Sequence, residues 1–186
     1  MDSRDLGEGI LLHPFEERDA DELFALVERS RAHLAPWMPW LPLHATREDS
    51  LQFIRAAREQ LDAGTSAQLA VVERGRIVGV CSLYAIDRAA GVCRCGYWLA
   101  PDAQGRGLVA RAVGSLLAHA FGDLGLRRVE LRAAPDNVRS RRVAERLGFA
   151  FERTLRAAES FPDGPRDQIQ YALDADAWRA ARSCDR

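Results

Sequence analysis

The short loop Gln104-Gly105-Arg106-Gly107 limits what this chain can become more than any other stretch. It lies between a strand-like segment, Gly96-Tyr97-Trp98-Leu99, and a helical pattern that runs from Leu108 to about Phe121. A strand that ends in a glycine-rich turn and opens a helix leaves several backbone N–H groups unpaired at the positive end of the helix dipole. That is an anion site, most often a phosphate site. A nucleotide-triphosphate loop would read Gly-x-x-x-x-Gly-Lys-Ser/Thr, and no lysine stands here. A dinucleotide fingerprint would carry a third glycine three residues after Gly107, where this chain has Ala110. What remains is Gln104-x-x-Gly107-x-Val109, whose amides could cradle a pyrophosphate; the plainer reading is a tight turn.

The residues that follow are more specific. Arg128 to Ala133 alternates as a strand, and Asn137-Val138-Arg139-Ser140 leads into a helix that closes on Glu145-Arg146-Leu147-Gly148-Phe149. The combination resembles the GNAT superfamily of acyl-CoA-dependent N-acyltransferases, and within it the RimJ/RimL type of ribosomal-protein N-terminal acetyltransferase. The resemblance runs from about Ile10 to Leu173 and is strongest between Gly96 and Phe149. Val109 stands where the wider superfamily has Gly or Ala, a difference that the RimL-like branch accommodates.

Length and charge bound the partners. At 186 residues the chain is long enough for one well-buried domain and short for two, so residues 1–186 are expected to form a single domain. With 26 basic against 27 acidic residues the net charge is -1, which gives no electrostatic case for nucleic acid or an anionic membrane as partner. The polar N-terminus is not followed by the apolar core of a signal peptide, and no uncharged apolar run reaches the roughly 18 residues of a membrane span. The expected location is cytoplasmic. Cys81, Cys93, Cys95 and Cys184 read as reduced thiols, and Cys93-x-Cys95 lacks the spacing of a structural zinc site. His13, His33, His44 and His119 show no metal-ligand spacing either, so no metal is expected.

Taken in order, Ile10 to Pro14 reads as a strand, and Asp19 to Glu22 opens a helix with Leu23, Leu26 and Val27 on its buried side. Leu34 to Pro42 carries three prolines and two tryptophans, so Trp37 and Trp40 lie in an irregular connection. They are either lids on the core or the wall of an acceptor pocket, and the RimL-like resemblance favours the pocket. Thr46 and Asp49 cap a second helix with Leu51, Ile54 and Leu61 inward. Gln68–Glu73, Ile77–Tyr84 and Val92–Leu99 form three antiparallel strands that deliver the chain to the loop. Two final strands, Phe151–Ser160 and Gln168–Leu173, flank a turn at Phe161 to Pro165, and a short helix passes through Trp178. This order predicts an α/β fold with a mixed, mostly antiparallel sheet and helices on both faces, which is also the GNAT arrangement.

The resemblance implies roles for particular residues. Main-chain groups of Trp98 and Leu99 would meet pantetheine, with an N–H near Leu99 as oxyanion donor. Amides from Gln104, Gly105, Arg106, Gly107, Leu108 and Val109 would hold the pyrophosphate of acetyl-CoA, and Asn137 would touch it from the far side. Ser140 corresponds to the proposed general acid and Glu159 to the proposed general base. Read locally, Asn137 is a turn residue, Ser140 a helix-cap or first-turn serine and Glu159 a solvated strand-end carboxylate. The expected activity is transfer of acetyl from acetyl-CoA to a primary amine, foremost a protein N-terminal α-amine. The alternatives are a small-molecule acceptor such as an antibiotic or aminoacyl nucleotide, a larger acyl donor, or an acyl-CoA-binding regulatory module without catalysis. A homodimer is a further expectation from the RimL-like resemblance.

Overall fold

The computed structural model describes residues 2–184, without the side chain of Cys184. An eight-stranded sheet in the order β1-β2-β3-β4-β5-β6-β8-β7 carries five α-helices. The strands are β1 (Arg4–Gly7), β2 (Ile10–Pro14), β3 (Ala67–Glu73), β4 (Arg76–Asp87), β5 (Val92–Leu99), β6 (Arg128–Ala133), β7 (Ala150–Phe161) and β8 (Gly164–Asp174). The helices are α1 (Ala20–Leu34), α2 (Arg47–Asp62), α3 (Leu108–Ala118), α4 (Val138–Arg146) and α5 (Ala175–Cys184). All neighbouring strands run antiparallel except β5 and β6. Parallel neighbours need a long crossover, here supplied by the glycine loop and α3. No helix among the described residues is long and apolar enough to cross a membrane.

Local chemistry sets the helix ends. Thr46 caps α2 by accepting from the Asp49 N–H at 3.2 Å, while Asp49 accepts from the Thr46 N–H at 2.7 Å, the reciprocal box read from the sequence. Ile54 is buried on this helix, and Leu51 and Leu61 are half-buried. The long helix departs from its expected form: it is regular to Ala118, then widens into a π-turn over His119–Asp123. His119 there bonds Asp123 at 2.7 Å and Arg4 at 3.1 Å.

Three further differences have physical causes. β1 was not expected from its polar sequence; it is an edge strand with half its residues exposed, held by Arg111 of α3, which donates to the carbonyls of Leu6 and Gly7 and pairs with Glu8. The final hairpin turns on Pro162 and Asp163 alone, so β8 begins at Gly164 inside the expected turn. Cys81, Cys93 and Cys95 are buried and free, and burial pushes the Cys93 thiol up to about 12, so these thiols pack as small apolar groups. Cys184 was grouped with them, and its side chain lies outside the described residues.

Candidate active site

β5 and β6 pair from Val92↔Arg128 to Cys95↔Leu131 and then part. β5 stays bonded to β4 as far as Gly79↔Leu99, and β6 stays bonded to β8 as far as Ala133↔Ile169. Each strand therefore keeps its outer neighbour while a wedge opens between the two. Ala100 donates to the Val78 carbonyl at 2.9 Å, toward β4. Amide direction alternates along a strand, so the N–H and C=O of Leu99 and Tyr97 turn into the wedge. Close approach of β4 sets this edge: a Cβ on Gly79 would lie 2.2 Å from the Trp98 carbonyl oxygen.

The wedge leads to the glycine loop. Gly105 and Gly107 have φ of +77° and +76°, the left-handed region that glycine occupies without strain, and a Cβ at either would meet no atom within 4 Å. The loop thus presents bare backbone to open space. Among the described residues, no hydrogen bond within the protein occupies the amides from Gly105 to Ala110. The first partnered amide after them is that of Arg111, which donates to the Gly107 carbonyl at 3.1 Å. Arg106 anchors the loop from behind through a two-pronged pair with Glu73 at 2.7 and 2.9 Å, so its side chain points away from the cleft. Gln104 is fully engaged: its Nε2 donates to His33 at 2.6 Å and to the Leu99 carbonyl at 3.3 Å, and its Oε1 accepts from Arg139 at 2.8 Å. A run of free amides beside a strand edge with open main-chain groups suits a diphosphate joined to an amide-bearing arm.

Across the wedge, Asn137 caps α4, its side chain accepting from the Ser140 N–H at 3.2 Å. The Ser140 hydroxyl lies 3.0 Å from the Tyr97 hydroxyl. Burial raises the Tyr97 pKa well above its ordinary value, so it stays protonated. Tyr97 was not picked out in the sequence; it stands one residue before the two chosen for their main-chain groups, where alternation turns its side chain to the α4 face. Trp98 faces the other way and meets Trp40, with ring centroids 6.3 Å apart. Trp40 also packs edge-on against His44, whose ring bonds Ser50 at 2.7 Å and whose pKa burial lowers. Glu159 is half-buried and stands one step past a bulge in β7, where Ala157 takes φ +50° and Asp167 accepts from its N–H at 2.9 Å.

One cleft of ≈ 1780 Å³ joins these parts. Trp37, Trp40, Trp98, Leu99, Gln104, Gly105, Gly107, Leu108, Val109, Asn137, Ser140 and Glu159 all line it, and Arg106 does not. The sheet divides the cleft: Tyr97, Ser140 and the loop belong to one side, Trp98, Trp40 and Glu159 to the other.

The family model of the acetyltransferase (GNAT) domain matches residues 10–150. The chain belongs to the GNAT acetyltransferase family. It is an acyl-CoA-dependent N-acetyltransferase with acetyl-CoA as cosubstrate, of the RimJ/RimL-like kind. The ribosomal-protein-serine acetyltransferase of Escherichia coli (strain K12) is 26% identical over 172 residues, spanning 92% of this GNAT chain and 96% of that protein. Among solved structures, the microcin C7 self-immunity acetyltransferase MccE, in complex with acetyl-CoA and AMP, is 28% identical. Its TM-score is 0.86, over 91% of this chain and 94% of that one. The ribosomal-protein-S5-alanine acetyltransferase of Vibrio fischeri is 26% identical with a TM-score of 0.85, over 95% and 98%. The splayed strands and glycine loop described above are thus parts of a GNAT fold.

Proposed function

We propose that this GNAT enzyme is a cytoplasmic acetyltransferase acting on protein N-terminal α-amines. The observation that carries the reading is the division of one cleft by the sheet. A phosphate-cradling loop and a proton donor stand on one side, and a carboxylate behind an aromatic wall stands on the other. Relatives named for acetylating ribosomal-protein serine and alanine support the choice of acceptor.

Acetyl-CoA supplies the activated acetyl group. In the proposed mechanism the amides of residues 105–110 take the pyrophosphate, Asn137 flanks it, and the wedge-facing main-chain groups of Tyr97 and Leu99 take the pantetheine arm, since those of Trp98, expected there with Leu99, are turned to β4. The Leu99 N–H, turned into the wedge, stabilises the oxyanion. Glu159 accepts the ammonium proton, directly or through one water, so that the free amine attacks the thioester carbon. The C–S bond breaks as the amide forms; the Ser140 hydroxyl relays a proton to the departing sulfur and is restored by the second proton that the attacking nitrogen sheds. Trp37 and Trp40 wall the acceptor path.

A general base typically contributes about 10²–10⁴-fold. Glu159→Gln should therefore lower kcat by at least about a hundredfold toward peptides that begin with Ser or Ala, with acetyl-CoA affinity retained. Full turnover by this variant at neutral pH would remove Glu159 from the mechanism.

A further inference from the structure

Two arginines stand on the acceptor side without a part in the mechanism above. Alternation along β5 puts Arg94, Gly96 and Trp98 on one face, and the contact between Trp98 and Trp40 marks that face as the acceptor side. Arg94 opposes Tyr84 on β4 and Glu130 on β6. Arg132, two residues beyond Glu130, opposes Gln170 on β8 and donates to its Oε1 at 3.0 Å. Arg94 and Arg132 both line the cleft, together with Tyr84 and Glu159.

Their charge is under-compensated. Glu130 is the carboxylate nearest both, at 3.7 Å from Arg94 and 4.0 Å from Arg132, and it is shared with Arg128 at 3.7 Å. Arg128 has closer partners of its own, Glu152 at 2.7 Å and Asp174 at 3.4 Å. One shared carboxylate is thus left to pair with two guanidiniums whose side chains are 37% and 23% exposed. Guanidinium forks match carboxylates in geometry as well as charge. The field around Tyr84 reports the layout: burial raises its pKa, Arg94 and Arg132 lower it, and Glu159 raises it. A cation-seeking carboxylate and an anion-seeking arginine pair therefore face one space.

We propose that Arg94 and Arg132 form a carboxylate-binding subsite that selects N-terminal peptides with an acidic side chain close behind the reacting amine. The proposal rests on the N-terminal reading above. The wedge opens directly after Cys95 and Leu131, one residue from each arginine, or about 3.4 Å of strand rise. An acceptor arriving extended, amine first, brings its second to fourth residues beside them.

The test compares peptides beginning Ser-Asp, Ser-Asn and Ser-Lys with the full-length enzyme and with Arg94→Gln, Arg132→Gln and Arg132→Lys. The Asp peptide should exceed the Asn peptide in kcat/KM by about tenfold, mostly through KM, and the Lys peptide should be poorest. The Asp/Asn ratio should fall toward one in both Gln variants and recover in part in Arg132→Lys. Equal kcat/KM for Asp and Asn peptides in the unmutated enzyme would overturn the subsite. So would Gln variants that lower both peptides by one factor, as a merely structural role would. If no peptide is acetylated but an aminoacyl nucleotide is, the N-terminal reading falls. The anion subsite then stands if that turnover drops in the Gln variants, and falls if it does not. Silence with every amine overturns both.

Discussion

At the scale of single residues, the geometry around Ser140 gives a role to a tyrosine that the sequence did not advertise. A serine hydroxyl has one proton, and its direction decides whether it can reach sulfur. Tyr97, kept protonated by burial, meets both the Ser140 hydroxyl at 3.0 Å and the Ser140 carbonyl at 3.2 Å, which fixes where the serine hydroxyl sits beside the wedge. Tyr97 is thus a positioning residue. Tyr97→Phe should lower kcat by about tenfold while KM for acetyl-CoA moves less than twofold. Combining it with Ser140→Ala should cost no more than Ser140→Ala alone, because both act through one hydrogen bond. Additive losses in steady-state kinetics would separate the two residues. Gly105 and Gly107 could be read directly, since positive φ is written in residue type; Asn137 read locally as a turn residue and is instead the cap of α4. Tyr97, Arg94 and Arg132 could not. Their use depends on which sheet face each side chain takes and on what the next strand brings opposite, and alternation alone does not tell one face from the other.

At the scale of elements, the cosubstrate edge depends on how closely β4 approaches β5. Gly79 faces Trp98 and Leu99 so tightly that an added methyl would lie 2.2 Å from one backbone oxygen and 2.9 Å from the Leu99 Cα. Overpacking of this kind typically costs about 1–3 kcal/mol, and relief requires β5 to move at the stretch that bounds the wedge. Gly79→Ala should therefore lower the thermal midpoint and also weaken CoA binding, measured by calorimetry on protein that remains folded. Lost stability with unchanged CoA affinity would show that the edge tolerates the shift. The elements with a strong period or a cap, such as β2, α2 and the β3–β4 hairpin, were legible with nearly their observed bounds. β1 was not, because an edge strand needs little apolar patterning and this one is fixed by Arg111, a hundred residues downstream in sequence. The π-turn after α3 was hidden too, since a widened turn keeps the helix's apolar spacing.

At the scale of the whole molecule, the sheet separates two chemical jobs. In the proposed mechanism the wedge between β5 and β6 is the passage between them, so an acetyl group delivered from the α4 side meets an amine arriving from the Trp40 side. This separation follows from one parallel pair within an otherwise antiparallel sheet, which the order of strands and helices in the sequence already suggested. The depth of the wedge was not legible, because it depends on β4 and β8 each holding its neighbour after β5 and β6 have parted. The most direct test of the account is to locate the transferred group by fragment mass spectrometry. The substrate is a peptide that begins with Ser and carries an internal lysine, incubated with the enzyme and acetyl-CoA. The account predicts one acetyl group, on the α-amine, with CoA released in equal amount. Acetyl on the lysine, or bound CoA with no acetylated peptide, would contradict it.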